Sequence, residues 1–470
     1  MNKTNIIVTI GNSSNTKEII KKLIIDGTSV FRINLNYYNH EFCEDVINKI
    51  RDIDKELETS TAIMFDTVGP DIKTGTFNGG KAYYTENTKI RIYNTPIIGD
   101  ETKLYIDYYN LINELSNNAI IKLNNGKVVL EVLDQGPDYL LCEVLIGGEV
   151  SDNSSVHFDC QIETPFLSEK DKEDIIFADK MKVDFLALSL VNSSEDVLDV
   201  NDMLIELGND HISIISKIEK ESAVNDIDEI IKVSDGIMIT RGDLGVDIPI
   251  ERIPGIQKMV INKCHFANKI SIIATEVMAS MEKSLIPTKA EVSDVANAVL
   301  DGVDAIVLSL ETMKGQYPIE AFSMMKKIIT TTEEDIDYFD LLNRAVRSDS
   351  GDITGSLSYS VIDLATRLDT KAIVAPTITG YTARKMSRFR PKCPIIALSP
   401  NIDTVKSLKL YFGVYPVLIK ELKTLDQTIE KSKEIVSNIT ELTNGDKIII
   451  TGGYPFSKTK HTNFIKIEEI

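Results

Sequence analysis

The sequence predicts an α/β protein: a (β/α)8 TIM barrel interrupted by an inserted all-β domain and followed by an open α/β domain at the C-terminal end. Three observations predict it. Short apolar β runs alternate with helical periodicity from the beginning of the chain; the alternation stops at about Asp71, gives way to short β patterns without a long helix as far as Glu163, and then resumes. Three strands before the interruption and five after it make eight, and eight βα units in about 250 residues close as a parallel barrel. The expected division is residues 1–70 and 164–337 for the barrel, 71–163 for the insertion and 338–470 for the last domain.

The first strand is Ile6 to Ile10, followed by the polar loop Gly11-Asn12-Ser13-Ser14 and a helix that places Ile19, Ile20, Leu23 and Ile24 on one face before Gly27. A second strand, Val30 to Asn34, leads to a helix patterned by Cys43, Val46, Ile47 and Ile50; a third, Ala62 to Asp66, ends at the turn Gly69-Pro70. Within the insertion, strands are expected at Lys89 to Tyr93, Ile120 to Leu123, Val128 to Val132 and Leu140 to Leu145, with Asn124-Asn125-Gly126 as a hairpin signal. The later barrel strands are Asp184 to Ser189, Ile212 to Ile218, Gly236 to Ile239, Ser271 to Ala274 and Ala305 to Leu308. The last domain offers a helix at Leu357 to Leu368 and strands at Ala372 to Ala375, Ile395 to Leu398, Val414 to Leu418 and Lys447 to Thr451.

Composition narrows the function. A chain of 470 residues with 43% hydrophobic content exceeds one core, which agrees with several domains. The net charge of −20 opposes a role in gripping nucleic acid or an anionic membrane, since both need a basic face. Anionic substrates would need local cations. Cys43, Cys142, Cys160, Cys264 and Cys393 are dispersed and odd in number, which fits reduced thiols and a cytoplasmic location. No run of about 18 apolar residues predicts a membrane span, and no signal-peptide pattern opens the chain.

Barrel enzymes place their chemistry at the C-terminal ends of the strands, and here those ends are unusually polar. They carry Arg32 and Asn34, Asp66 and Thr67, Ser189, Lys217 and Glu219, Arg241-Gly242-Asp243, Thr275, and Ser309 with Glu311. Lys217 and Glu219 lie two apart on one strand and share a face, and the next strand's loop brings Asp243. Two carboxylates from adjacent strands leave most of a magnesium ion's positions for water and substrate oxygens, which suits a metal acting on phosphates. A strand Lys-x-Glu also serves elsewhere as a solvated edge or a structural ion pair, so this motif alone leaves both readings open.

Longer blocks are more specific. Ser216-Lys217-Ile218-Glu219, Asp66-Thr67-Val68-Gly69-Pro70, Ile237 to Val246, Pro287 to Gly302, Leu167 to Lys172 and Phe389-Arg390-Pro391 together resemble the signatures of the pyruvate kinase family, nearly end to end. The resemblance implies that Glu219 and Asp243 hold Mg2+ (or Mn2+), that Lys217 and Arg32 contact the transferred phosphoryl group, and that Thr275 lies by the carbon that is protonated. It also implies a K+ site at Asn34, Asn36, Asp66 and Thr67, and contacts from Ser189, Gly242, Asp243, Lys217, Arg32 and Thr275 to phosphoenolpyruvate. The partners it implies are phosphoenolpyruvate and ADP/ATP, a sugar-phosphate effector at Thr377, Thr379, Gly380 and Thr382, and a homotetramer; the inserted domain becomes a lid hinged near Gly69-Pro70 and Thr164-Pro165. The later loop Gly452 to Lys458 also resembles the family's effector region.

The sequence departs from the family on one side. Asn36 and Tyr37 replace a serine and a histidine, Val68 a lysine, Asp71 a glutamate, Lys73 an arginine, Asn192 an arginine, Glu276 a glutamine and Leu310 a glycine, and the stretch Asn153 to Phe158 has lost its usual lysine. The metal and phosphoenolpyruvate half is kept while the ADP half is altered. The expectation is therefore a pyruvate kinase of glycolysis. The alternatives are a catalytically weak paralogue that senses phosphoenolpyruvate or sugar phosphates, and a barrel lyase or aldolase acting on enolpyruvate-type substrates.

Overall fold

The computed structural model describes residues 2–160, 164–346, 353–422, 424–440, 442–453 and 462–470. Its first three strands are β1 (Asn5–Thr9), β2 (Val30–Asn34) and β3 (Ala62–Asp66). The insertion supplies β4 (Lys81–Tyr84), β5 (Lys89–Tyr93), β6 (Lys103–Tyr105), β7 (Ile120–Leu123), β8 (Val128–Gln135), β9 (Tyr139–Ile146), β10 (Gly148–Ser151) and β11 (Val156–Phe158). The chain then returns through β12 (Phe185–Leu188), β13 (Ser213–Ile218), β14 (Gly236–Thr240), β15 (Ile270–Ala274) and β16 (Ala305–Leu308). These last five and the first three close as a parallel barrel in the order β1-β16-β15-β14-β13-β12-β3-β2, as expected.

Period-two alternation explains the barrel's two cores. Ile7, Val30, Met64, Phe185, Ile215, Met238, Ile272 and Val307 form one buried cluster inside the barrel, while their neighbours Val8, Phe31, Phe65, Leu186, Ile214, Ile237, Ile273 and Ile306 pack in another with the surrounding helices. Helix ends follow local chemistry. The helix Lys17–Asp26 starts where Thr16 accepts from the Ile19 N–H, and stops where Gly27 takes φ +107° and donates to the Leu23 and Ile24 carbonyls. Thr288 and Glu291 form a reciprocal capping box on Lys289–Leu300, and Glu291 also accepts from Ser280, so this glutamate has a structural role.

In the insertion a six-stranded sheet, β11-β7-β8-β9-β5-β6, packs with the pair β10-β4 around Tyr84, Ile90, Ile92, Leu130 and Val144. The expected hairpin is present: Asn124, Asn125 and Gly126 turn β7 into β8 with φ of 52°, 55° and 78°. Strands β4, β6, β10 and β11 were not expected, because each has only three or four residues and polar side chains on its exposed face.

The last domain is a five-stranded sheet in the order β19-β18-β17-β20-β21, built from β17 (Ala372–Pro376), β18 (Ile395–Ser399), β19 (Val414–Leu418), β20 (Lys447–Gly452) and β21 (Phe464–Glu469). All neighbours are parallel except the terminal pair β20-β21. The domain docks on the barrel floor, where the N-terminal ends of the barrel strands lie. Gly413 donates to the Lys3 carbonyl, Lys406 pairs with Asp184, and Arg390 pairs with Asp304. The apolar cluster inside the barrel continues into this domain through Ile373, Ile395, Leu408 and Ile449. Among the described residues no helix is long and apolar enough to cross a membrane.

Candidate active site

The residues expected to carry chemistry meet at the mouth of the barrel, opposite the docked C-terminal domain. Strands β2, β3 and β13 aim Arg32, Asp66 and Lys217 inward because each lies an even number of residues from an interior apolar position, Val30, Met64 and Ile215. Asp66 is fully buried and joins the two cations. Its Oδ2 accepts from Arg32 Nε at 2.6 Å, with a second contact from the same guanidinium, and its Oδ1 takes Lys217 Nζ at 3.1 Å. Lys217 Nζ also reaches Ser189 Oγ at 2.7 Å and Glu219 Oε1 at 3.1 Å, and Arg32 donates to Thr9 Oγ1 at 3.0 Å.

Burial alone would raise the Asp66 carboxyl, but Arg32 and Lys217 outweigh it and hold its pKa below the ordinary range. For Lys217 burial likewise works against the charged form, and Asp66 and Glu219 more than reverse it, so the ammonium is firmly held. The network keeps two positive charges in fixed, buried positions, which is what a phosphoryl group with developing charge requires.

Glu219 and Asp243 are the carboxylates expected to hold the metal. Glu219 is buried, with Oε2 accepting from the Leu190 N–H at 2.7 Å. Asp243 sits in the first turn of the short helix Arg241–Asp247, and burial followed by repulsion from Glu219 pushes its carboxyl up to about 6. Two buried carboxylates that repel each other are a donor set suited to magnesium or manganese: a divalent cation removes the repulsion.

Thr275 and Glu276 leave β15 in the left-handed region, at φ 65° and 52°. This conformation is uncommon for a β-branched residue and costs about 1–3 kcal/mol. The turn is held from one side by Arg241, which donates to the carbonyls of Thr275 and Glu276 at 3.1 Å each and pairs with Asp294 at 2.7 Å. Gly242 N–H donates to Thr275 Oγ1 at 2.8 Å, and a Cβ at position 242 would stand 3.3 Å from that oxygen, so glycine permits the approach.

The positions expected around potassium divide. Asp66 and Thr67 are buried, and the Thr67 carbonyl accepts from Ser189 Oγ at 2.7 Å. Asn34 Oδ1 accepts from the Asn36 N–H at 2.9 Å. Asn36 itself has turned its side-chain oxygen to Lys73 Nζ at 3.0 Å, and Lys73 pairs with Asp71 at 3.2 Å. Asn34 Oδ1 and the Thr67 carbonyl meet only neutral donors, as a monovalent cation would need, whereas the Asp66 carboxylate is engaged by Arg32 and Lys217 and the Asn36 oxygen by Lys73.

The inserted domain lies over this mouth. Lys122 Nζ donates to the Val246 carbonyl in the helix that carries Asp243, and Lys122 is the antiparallel partner of His157. Burial lowers the His157 pKa and outweighs the influence of Asp71, the nearest carboxylate in effect. Sequence reasoning assigned no role to Thr9, Arg241, Lys122 or His157. Thr9 was within reach of it, since period two from the inward-facing Ile7 places Thr9 beside Arg32; Lys122 and His157 follow only from the docked insertion.

At the expected effector loop, Thr379 is exposed, Thr377 is half-buried and Gly380 takes φ 77° ahead of the helix Tyr381–Ser387. Thr382 is buried with its hydroxyl on Thr462 at 2.9 Å, so it supports the loop from behind. Of the later loop, residues 454–461 lie outside the described residues.

Comparison with known proteins is consistent across sequence and structure. The profile described as "Pyruvate kinase, barrel domain" matches residues 1–322, and "Pyruvate kinase, alpha/beta domain" matches residues 355–468. A pyruvate kinase of Clostridium perfringens is 39% identical over 474 residues, covering 100% of both chains. One from Geobacillus stearothermophilus is 37% identical, covering 100% of this chain and 80% of its own. A crystal structure of a pyruvate kinase from Cryptosporidium parvum superposes with a TM-score of 0.94 at 32% identity, covering 100% of this chain and 96% of that one.

Proposed function

Since the chain belongs to the pyruvate kinase family, we propose that the barrel-mouth network performs phosphoryl transfer through the particular residues described above. The protein is a phosphotransferase: it moves the phosphoryl group of phosphoenolpyruvate to ADP, giving pyruvate and ATP in glycolysis. The single observation that carries the residue assignment is the buried Asp66 carboxylate, which positions Arg32 and Lys217 together.

In this reading Lys217 and Arg32 face the transferring phosphoryl group, already desolvated and oriented, so that little reorganisation accompanies the step. Ser189 orients Lys217, and Thr9 orients Arg32. A magnesium or manganese ion on Glu219 and Asp243 would supply neutralisation of substrate oxygens. Thr275 Oγ1 accepts from the Gly242 N–H, which leaves its own proton uncommitted to that bond, and in this reading Thr275 is the proton donor to the enolate carbon. Potassium would draw on Asn34 and Thr67, beside the Asp66 carboxylate. The lid, anchored by Lys122, excludes water from the mouth.

A cytoplasmic homotetramer with a sugar-phosphate effector at Thr377, Thr379 and Gly380 completes the proposal by analogy with the family. A weakly catalytic sensor is the second reading, favoured by Lys73, which is engaged with Asn36 and Asp71 rather than free on the nucleotide side. A coupled assay for pyruvate from phosphoenolpyruvate and ADP, with magnesium and potassium, decides between them. Turnover no greater than that of Lys217→Met would remove the catalytic reading, and calorimetry with ADP would then show whether nucleotide still binds.

A further inference from the structure

One carboxylate outside the phosphoryl site fastens both connections between the barrel and the insertion. Asp171 stands in the first turn of the helix Glu169–Lys180 and is only 1% exposed. Its Oδ2 closes a capping box, accepting from the Ser168 N–H at 3.2 Å and from the Ser168 hydroxyl at 2.5 Å. Its Oδ1 accepts from the Gly69 N–H at 3.0 Å, 102 residues earlier in the chain. Gly69 follows β3, where the chain leaves the barrel, and Ser168 lies where it has returned. A helix cap needs only the first of these oxygens; the second ties the two crossings together.

Gly69 in turn rests against the residue that seats Lys217. It takes φ +71°, and a Cβ there would stand 2.7 Å from the Ser189 carbonyl oxygen and 3.2 Å from the Ser189 Cβ, so glycine is what allows the contact. Two residues back, the Thr67 carbonyl accepts from Ser189 Oγ at 2.7 Å, and Thr67 Oγ1 accepts from the Ser189 N–H at 3.2 Å. Ser189 Oγ itself accepts from Lys217 Nζ at 2.7 Å. Contacts therefore run without a break from both attachments of the insertion, through Gly69 and Ser189, to the Lys217 ammonium.

We infer that Asp171 is a positioning residue for phosphoryl transfer: by holding Gly69 and Ser168 it sets the pivot of the inserted domain and keeps the hinge seated on Ser189, so that lid closure and the placement of Lys217 occur together. It touches no substrate and acts through Gly69 and Ser189. The role presupposes that the barrel mouth is the phosphoryl-transfer site and the insertion its lid, as proposed above. With the clamp intact the two attachments move as one; without it each moves alone and Ser189 loses its backing.

Asp171→Ala removes both bonds, whereas Ser168→Ala weakens the cap and leaves the Gly69 bond, which makes it the control for a purely structural role. In the full chain, kcat should fall by roughly tenfold or more in Asp171→Ala with the KM for phosphoenolpyruvate little changed. Ser168→Ala should lower the melting temperature and leave kcat near the wild-type value. Hydrogen exchange, which needs no turnover, should quicken in Asp171→Ala at residues 120–126 and 241–247, which meet across the cleft, and not in Ser168→Ala. If Asp171→Ala does not fold, Gly69→Ala, which lifts the hinge from Ser189 and leaves the carboxylate in place, should show the same two effects. Equal losses of kcat in Asp171→Ala and Ser168→Ala, or unchanged exchange at the cleft, would overturn the role of Asp171. A wild type without turnover would instead remove the phosphoryl-transfer reading on which the role rests; quickened exchange would then still support the hinge clamp, and unchanged exchange would overturn it.

Discussion

Arg390 of the C-terminal domain and Asp304 of the barrel floor meet guanidinium to carboxylate, through two parallel bonds of 2.7 and 2.9 Å. Asp304 also accepts from the Ser271 and Phe412 backbone N–H groups, so one buried carboxylate joins β15, the entry to β16 and the docked domain. Removing its charge by Asp304→Asn leaves Arg390 buried and unpaired, and should cost about 3–5 kcal/mol of stability by denaturant titration. Burial would raise the Asp304 carboxyl, yet Arg390 holds it below the ordinary range. A depressed folded pKa stabilises fully above the unfolded value of about 3.9 and is lost as pH falls through the lower folded value. The melting temperature of the wild type should therefore fall more steeply below about pH 4 than that of Asp304→Asn. Parallel curves would show that the pair does not govern acid stability.

Thr9 fixes the second face of the Arg32 guanidinium. Thr9→Val has nearly the same shape and removes the hydrogen bond, so kcat should fall roughly five- to tenfold while Thr9→Ser restores it. Steady-state kinetics with both variants check this. If Val and Ser behave alike, Asp66 alone positions Arg32.

Arg241 holds the strained Thr275 turn by two carbonyl contacts and one carboxylate. Lysine cannot span the three, because it lacks the planar fork. Arg241→Lys should lower kcat by about 10- to 100-fold through misplacement of Thr275. Manganese affinity, read by electron paramagnetic resonance, should stay near the wild-type value, since Glu219 and Asp243 are untouched. A parallel loss of metal affinity would assign Arg241 to the metal site instead.

Lys73 places an ammonium on Asn36, next to the oxygens proposed for potassium. Two like charges in a partly exposed site repel by about 1 kcal/mol or more, so Lys73→Met should lower the potassium concentration for half-activation by roughly three- to tenfold. Titration of initial rate with potassium at constant ionic strength measures it. An unchanged midpoint would place the cation away from Asn36.

The barrel was legible in the sequence because each of its strands is an apolar run flanked by a helical period, and all eight fall where those runs predict. The meeting of Arg32, Asp66, Ser189, Lys217 and Glu219 was legible too, because they occupy strand ends and the parity of a strand decides which side chains point inward. What stayed hidden depends on contacts between distant segments. The redirection of Asn36 to Lys73 needs the lid entry to lie beside β2, and the hold of Arg241 on Thr275 needs a left-handed turn that no residue type announces. The short edge strands β4, β6, β10 and β11 carry too few apolar positions for any period to register.

Closure of the barrel joins its first strand to its last, with Asn5 opposite Ala305. During synthesis at about 5–20 residues per second, the β1 edge therefore waits roughly 15–60 s before its partner leaves the ribosome. Through that interval a short apolar strand presents unpaired N–H and C=O groups to the cell. The newborn chain is thus most open to mispairing before Ala305–Leu308 emerges, and a trigger for aggregation would act on this interval rather than on the finished protein.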